Sequence, residues 1–327
     1  MKSARIAGLG KCLPPNVLTN ADLEKKVDTS DEWIITRTGI RERRIVKAGE
    51  SASDLAREAS LQALKRAGIK AKDLDLIIVA TITPDTQFPA TACHLQNAIK
   101  ATNAICFDIS AACAGFVYAL NTAWQFIKGG LYEKILIVGS EVLSSITDWE
   151  DRSTCVLFGD GAGAAVLLPT TSDKGVLSSY MGSDGSQTDI LIVPGGGSRC
   201  PASIDTLKKK LHYIKMRGNE LFRIAVRVMA EAAEKAITNV GLQTSDIDIL
   251  VPHQANKRII DAVAQRLKIP REKVYMNVDR YGNMSSASSA VALCEAWEKG
   301  EIKDGDLVVL DAFGAGLVWG SCVIRWV

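Results

Sequence analysis

Residues 67–78 read Ala-Gly-Ile-Lys-Ala-Lys-Asp-Leu-Asp-Leu-Ile-Ile, and residues 240–251 read Val-Gly-Leu-Gln-Thr-Ser-Asp-Ile-Asp-Ile-Leu-Val. Gly68, Asp73 and Asp75 therefore match Gly241, Asp246 and Asp248 at one constant offset, and Glu58 and Ala59 match Glu231 and Ala232 at the same offset. A repeated pattern of this kind restricts the chain to two similar units packed on one another. Each copy predicts an amphipathic helix, over 53–66 and over 221–239, ended by a C-capping glycine and followed by a short buried strand. Phe158-Gly-Asp-Gly161 and Phe313-Gly-Ala-Gly316 each precede a strand of small and branched residues, so both halves close alike. The Pro, Thr, Ser and Gly stretch from Pro169 to Gly175 marks the join, which divides the chain into 1–171 and 172–327.

Continuously apolar strands over 134–138 and 307–310 imply sheets covered by helices on both faces. The segments 114–128 and 286–299, rich in Ala, Val, Leu and Trp and poor in charge, suit helices buried between two such sheets. They end at Gly129 and Gly300, and aligning those glycines brings Cys113 opposite Met284, beside Asn283. A cysteine and an Asn-Met-Ser turn are thus expected at the N-termini of two equivalent buried helices.

A chain of 327 residues that is 47% hydrophobic and 23% charged is not disordered. Its 39 basic and 37 acidic side chains leave a net charge of +2, which gives no overall field for nucleic acid or an anionic membrane. Apolar runs fall short of the ~18 residues a membrane span needs. Eight cysteines with no C-x-x-C pair, behind a start that lacks a signal-peptide core, predict free thiols and a cytoplasmic location. Gly159-Asp-Gly-Ala-Gly163 misses the dinucleotide spacing, no phosphate loop or Gly-x-Ser-x-Gly elbow occurs, and the cysteines and histidines are too dispersed for a metal site.

Three residues sit where chemistry is expected. Cys113 follows a strand through the small-residue turn Ser-Ala-Ala-Cys-Ala-Gly into a helix, whose N-terminus should lower its pKa from about 8.5 toward neutrality. His253, in Val251-Pro-His-Gln-Ala-Asn256, ends the second repeat strand, the edge where open α/β sheets place ligands. Asn283 pairs with Cys113 by the internal symmetry. An amide NH₂ and a histidine N–H would together polarise a thioester carbonyl without supplying charge. His94 and His212 lie in unremarkable contexts.

With these in view, the sequence resembles β-ketoacyl-acyl-carrier-protein synthase III over essentially its whole length. The likeness rests on Thr29-Ser-Asp-Glu-Trp-Ile-Ile-Thr-Arg-Thr-Gly-Ile40, the Cys113 segment, Phe158-Gly-Asp-Gly-Ala-Gly-Ala164, Pro252-His-Gln-Ala-Asn256, Gly282-Asn283 and Phe313-Gly-Ala-Gly-Leu-Val-Trp-Gly320. It implies the thiolase fold, an α/β protein with duplicated five-layer α/β/α/β/α architecture and mixed sheets, normally a homodimer. The implied reaction is ping-pong and needs no cofactor or metal. Cys113 takes a short acyl group, such as acetyl, from acyl-CoA, and malonyl-acyl carrier protein then decarboxylates and condenses with it while His253 and Asn283 hold its thioester oxygen. By the same resemblance the N–H groups of Cys113 and Ala315 form the oxyanion hole. Thr29, Trp33, Arg37, Arg152, Gly218, Phe222 and Asn256 bind CoA, with Trp33 and Arg152 sandwiching the adenine. Phe88 reaches across the dimer into the partner's acyl pocket, and Gln254, Ala255, Asn256, Lys257 and Arg258 dock the carrier protein, to which Arg41, Arg43 and Arg44 would add charge. Ala315 and Met284 depart from the family's usual glycine and threonine. The alternatives are a related acyltransferase or condensing enzyme of secondary metabolism with another acceptor, and a non-catalytic scaffold that binds carrier protein.

Overall fold

The computed structural model describes residues 3–327. The strands β1 (Ser3–Cys12), β2 (Leu76–Ala80), β3 (Ile105–Ile109), β4 (Ile135–Val142) and β5 (Asp160–Thr170) form one sheet in the order β1-β5-β4-β2-β3. The strands β6 (Gly175–Ser183), β7 (Ile249–Pro252), β8 (Leu307–Gly314) and β9 (Val318–Arg325) form a second in the order β6-β9-β8-β7. In the first sheet β2 runs parallel to β3 and β4, and β5 runs antiparallel to β4 and β1. In the second β7 is parallel to β8, and β9 is antiparallel to β8 and β6. The two sheets match strand for strand except at one edge, where the counterpart of β3 is a single parallel bridge from Leu250 to Val274. All five residues of β2 and all eight of β4 are buried, as strands covered on both faces require.

Helices α1 (Ala52–Ala67) and α2 (Thr91–Ile99) cover the outer face of the first sheet, with Leu55, Ala56 and Leu95 packed on Ile77, Val79, Leu136 and Val138. Helices α3 (Gly115–Lys128), α4 (Gly218–Thr238), α5 (Lys257–Leu267) and α6 (Ser286–Glu298) supply the other helical layers, and a shorter helix, Asp31–Thr38, carries Trp33 and Arg37. Val228 of α4 and Ile260 of α5 pack on Leu250 and Val309 outside the second sheet. Phe116 and Leu120 of α3 and Leu293 of α6 lie between the sheets, against Ile78 and Ile137 on one side and Leu310 and Ile324 on the other. The result is the five-layer α/β/α/β/α order. Eleven consecutive residues of α6, from Ser286 to Ala296, are buried, so this helix has scarcely any polar face.

One detail departs from the repeat. Helix α1 stops at Gly68 in the left-handed region, whereas α4 is capped by Asn239 in a right-handed conformation and Gly241 follows in the turn beyond. Among the described residues no helix is long and apolar enough to cross a membrane. All eight cysteines are free.

Candidate functional site

Cys113 sits on a single 3-10 turn, Ala112–Ala114, between β3 and α3. Ala112 adopts a φ of 44°, a left-handed conformation costly for alanine, which turns the chain sharply and delivers the thiol to the N-terminus of α3. Gly314, at the end of β8, lies against this turn. A side chain there would stand 2.6 Å from the Cys113 backbone nitrogen, so only glycine permits the approach. Burial pushes the Cys113 thiol up to about 12, the Glu141 carboxylate adds to that rise, and the Ser285 hydroxyl opposes it. This reverses the lowering expected from the helix end, because Cys113 is buried and desolvation disfavours its charge.

His253 follows β7, its N–H donating to the Asp311 carbonyl on β8 at 2.7 Å. The imidazole is buried, its Nδ1 has no partner, and burial brings its pKa down to about 3. Burial thus favours the neutral imidazole over the charged one. Asn283 lies in the turn before α6 and is held by the first half of the chain, its N–H donating to the Leu157 carbonyl at 2.9 Å and its carbonyl accepting from Gly159 N–H at 3.0 Å. Its Oδ1 accepts from Ser285 N–H at 2.8 Å, which leaves the amide NH₂ as the group free to act.

One cavity of about 560 Å³ is lined by Cys113, His253, Asn283 and Phe313 at its base and by Trp33, Arg37, Gly218, Phe222, Ala255, Asn256 and Arg258 toward its mouth. The internal symmetry and the two strand ends thus bring all three reactive residues to one space. A second cavity of about 70 Å³ opens beside Cys113 and Ala315, walled by Ile82, Leu143, Leu191, Val193 and Ile214. These apolar walls come from segments that carry no motif, and they were not legible in the sequence. Among the described residues no group of three or more His, Cys, Asp or Glu could hold a metal.

The other expected residues are distributed unevenly. Asn256 caps α5 through Oδ1 and donates from Nδ2 to the Arg37 carbonyl at 3.1 Å, tying the two sides of the mouth. The Arg152 guanidinium lies directly over the Trp33 ring, 4.1 Å from its centroid, so the two planar groups are in contact with nothing between them. Thr29 and Arg152 do not line the cavity wall, although the Thr29 hydroxyl is buried without a partner. Lys257 and Arg258 are exposed, and Arg258 sits over the Phe222 ring. Gln254 is not available for docking: it is fully buried, donates to the Pro252 and Tyr275 carbonyls and accepts from Asn277 and Val278 N–H groups. Arg43 is also removed from any surface role, being fully buried with its guanidinium on Asn20 and on the Leu18 and Val156 carbonyls. Phe88 is 84% exposed and lines neither of these two cavities. Met284 is buried beside Tyr281, Ala287 and Val291, with its sulfur in the space that a side chain at Gly161 would take.

Residues 107–185 match the family model for 3-oxoacyl-[acyl-carrier-protein] synthase III, and residues 237–326 match the model for the C-terminal part of the same family. The chain is 55% identical over 324 residues to β-ketoacyl-[acyl-carrier-protein] synthase III of Caldanaerobacter subterraneus subsp. tengcongensis, covering 99% of this chain and 98% of that one. It is 53% identical over 323 residues to the protein of the same name from Clostridioides difficile, again covering 99% and 98%. The crystal structure of 3-oxoacyl-[acyl-carrier-protein] synthase III from Aquifex aeolicus superposes with a TM-score of 0.92 at 47% identity, covering 99% of this chain and 100% of that one.

Proposed function

The chain belongs to the 3-oxoacyl-[acyl-carrier-protein] synthase III family, and from that premise we propose that it initiates type II fatty-acid synthesis by condensing a short acyl-CoA with malonyl-acyl carrier protein. It is a condensing acyltransferase, and its products are 3-oxoacyl-acyl carrier protein, CoA and CO₂. The observation that carries the residue assignment is the convergence of Cys113, His253 and Asn283 on one cavity, with the histidine neutral and the asparagine amide pinned by its oxygen.

In the first half-reaction the Cys113 sulfur attacks the acyl-CoA carbonyl, and the N–H groups of Cys113 and Ala315 receive the oxyanion. Ala315 serves as glycine would, because the donor is backbone. In the second, malonyl-acyl carrier protein loses CO₂ and the electron pair moves onto its thioester oxygen, held by His253 Nε2–H and the Asn283 amide. The carbanion then attacks the acyl-Cys113 carbonyl and expels the thiolate. Two neutral donors suit this step: they stabilise the developing enolate without binding the malonyl carboxylate, whose departure drives the reaction. Trp33, Arg37, Gly218, Phe222 and Asn256 would hold CoA along the wall they share. Adenine could enter between Trp33 and Arg152 only by parting them, and Thr29 would lend its unpartnered hydroxyl. The 70 Å³ apolar cavity favours a primer of very few carbons. Lys257 and Arg258 at the mouth carry the charge that an acidic carrier protein would meet.

Mixing the protein with acetyl-CoA should add one acetyl group, located on Cys113 by intact-protein and peptide mass spectrometry and absent from Cys113→Ala. Malonyl-acyl carrier protein should discharge it as 3-oxobutyryl product. An adduct that persists would point to another acceptor, and no adduct would leave only the scaffold reading.

A further inference from the structure

The Nδ1 atom of His253 is buried and makes no hydrogen bond. A histidine ring usually takes its orientation and tautomer from the bond that its other nitrogen makes. No such bond exists here, so the aim of the ring depends on the course of the backbone around it. That backbone is a tight turn of His253, Gln254 and Ala255, closed by Ala255 N–H donating to the His253 carbonyl at 3.0 Å. Gln254 is its middle residue.

The fully buried Gln254 side chain reaches from this turn to a second segment. Its Nε2 donates to the Pro252 carbonyl at 2.8 Å and the Tyr275 carbonyl at 3.3 Å, while its Oε1 accepts from Asn277 N–H at 2.9 Å and Val278 N–H at 3.2 Å. Both donors and both acceptor positions of the amide are thereby used. Asn277 and Val278 open the short helix Val278–Tyr281, which leads through Gly282 to Asn283. The same segment is tied to α6 by Asn277 Nδ2 donating to Glu295 Oε2 at 2.8 Å and by Arg280 on Glu295 Oε1 at 2.6 Å. Gln254 thus joins the strand end that bears His253 to the segment that leads into Asn283. None of its bonds reaches the Cys113 turn, and it does not line the wall of the site cavity.

We propose that Gln254 is a positioning residue that sets the spacing of the His253 and Asn283 donors around the malonyl thioester oxygen. The inference rests on the reading of those two residues as that pair of donors. Two groups stabilise one developing oxyanion together only when both are held in the right place before the charge appears. Attack of Cys113 on acyl-CoA uses neither of them. Loss of the Gln254 tie therefore slows decarboxylation and condensation and spares acylation. Binding of the substrates is spared as well, because the side chain is absent from the wall they share. This role replaces the docking contact that the family resemblance implied: a buried amide with every bond in use has nothing to offer a carrier protein.

The two half-reactions are measured apart. Acetylation of Cys113 by acetyl-CoA is followed by intact mass in a single turnover, and CO₂ release from malonyl-acyl carrier protein is followed at saturating acetyl-CoA. Gln254→Met keeps the length of the side chain and removes all four bonds. In this variant kcat for CO₂ release should fall ~100-fold, with KM and the acetylation rate within about twofold of wild type. Gln254→Glu, which keeps the accepting oxygen and loses the donating NH₂, gives the same reading if Gln254→Met does not fold. In a His253→Ala background the Gln254 substitution should cost less than about twofold, since the group it aims is gone. A residue that only supports the fold would lower both half-reactions together, and a docking residue would raise KM at constant kcat. Either result overturns the proposal, as does a full additive loss on top of His253→Ala. If His253→Ala releases CO₂ at the wild-type rate, the donor reading of His253 fails first and the proposal with it.

Discussion

His253 and Asp311 are bonded to each other through their backbones and respond to burial in opposite senses. The histidine loses its charge and becomes a neutral donor, while the aspartate, with both carboxyl oxygens unpartnered, has its pKa raised well above the usual value. A carboxyl with a raised folded pKa binds a proton that the unfolded chain has released above about pH 3.9. Stability therefore declines as pH rises from that value toward the folded pKa. Asp311→Asn should match wild type near pH 4 and exceed it by ~1–3 kcal/mol at pH 8 in urea unfolding. Parallel wild-type and variant curves at both pH values would show that Asp311 is not the titrating group. The positions of Cys113, His253 and Asn283 were legible in sequence because motif and symmetry are local properties. The raised thiol pKa and the burial of Gln254 and Arg43 were not. They depend on burial and on groups distant in sequence, Glu141 for the thiol, Tyr275 for Gln254 and Asn20 for Arg43, which only the fold brings near. Glu141 left a faint trace, a lone acidic residue just beyond the apolar start of β4.

The helices were the most readable elements. The expected spans 53–66, 114–128 and 286–299 each fall within a residue of α1, α3 and α6, because long apolar periodicity is decided by neighbours along the chain. The strand counterpart of β3 shrinks to one bridge at Val274, and nothing in the local sequence marks that loss. Helix α5 shows what an element adds to a residue. Its Asn256 cap anchors the N-terminus to the Arg37 segment, and its first turn places Arg258 on the cavity wall with the exposed Lys257 beside it. Reversing that charge with Arg258→Glu should raise KM for malonyl-acyl carrier protein ~10-fold, flatten its salt dependence and leave kcat within about twofold. Unchanged kinetics across salt would place the docking surface elsewhere.

At the scale of the whole molecule, two of the exposed apolar side chains on the first half stand out. Ile105 is 55% exposed at the start of the edge strand β3, and Phe88 is 84% exposed on the loop before α2. An unpaired strand edge and a bare phenyl ring are costly in water and suit a second copy of the chain. Sedimentation should give about twice the monomer mass of 35.2 kDa. In acyl-CoA profiling, wild type should prefer two to four carbons, and Phe88→Ala should extend that preference by about two carbons. A wild type that favours long chains, or a monomer, would remove Phe88 from the partner's acyl pocket.

The unequal edges of the two sheets carry a historical consequence. A chain made of two matching halves begins with every position present twice, and redundancy lets each copy drift toward a different task. Here one half carries a fifth strand and the thiol, while the other has a single bridge at Val274 in that strand's place and carries the imidazole and the amide. Once the labour was divided in this way, neither copy could replace the other. Two halves so alike in fold thus differ in chemistry, and the site needs both.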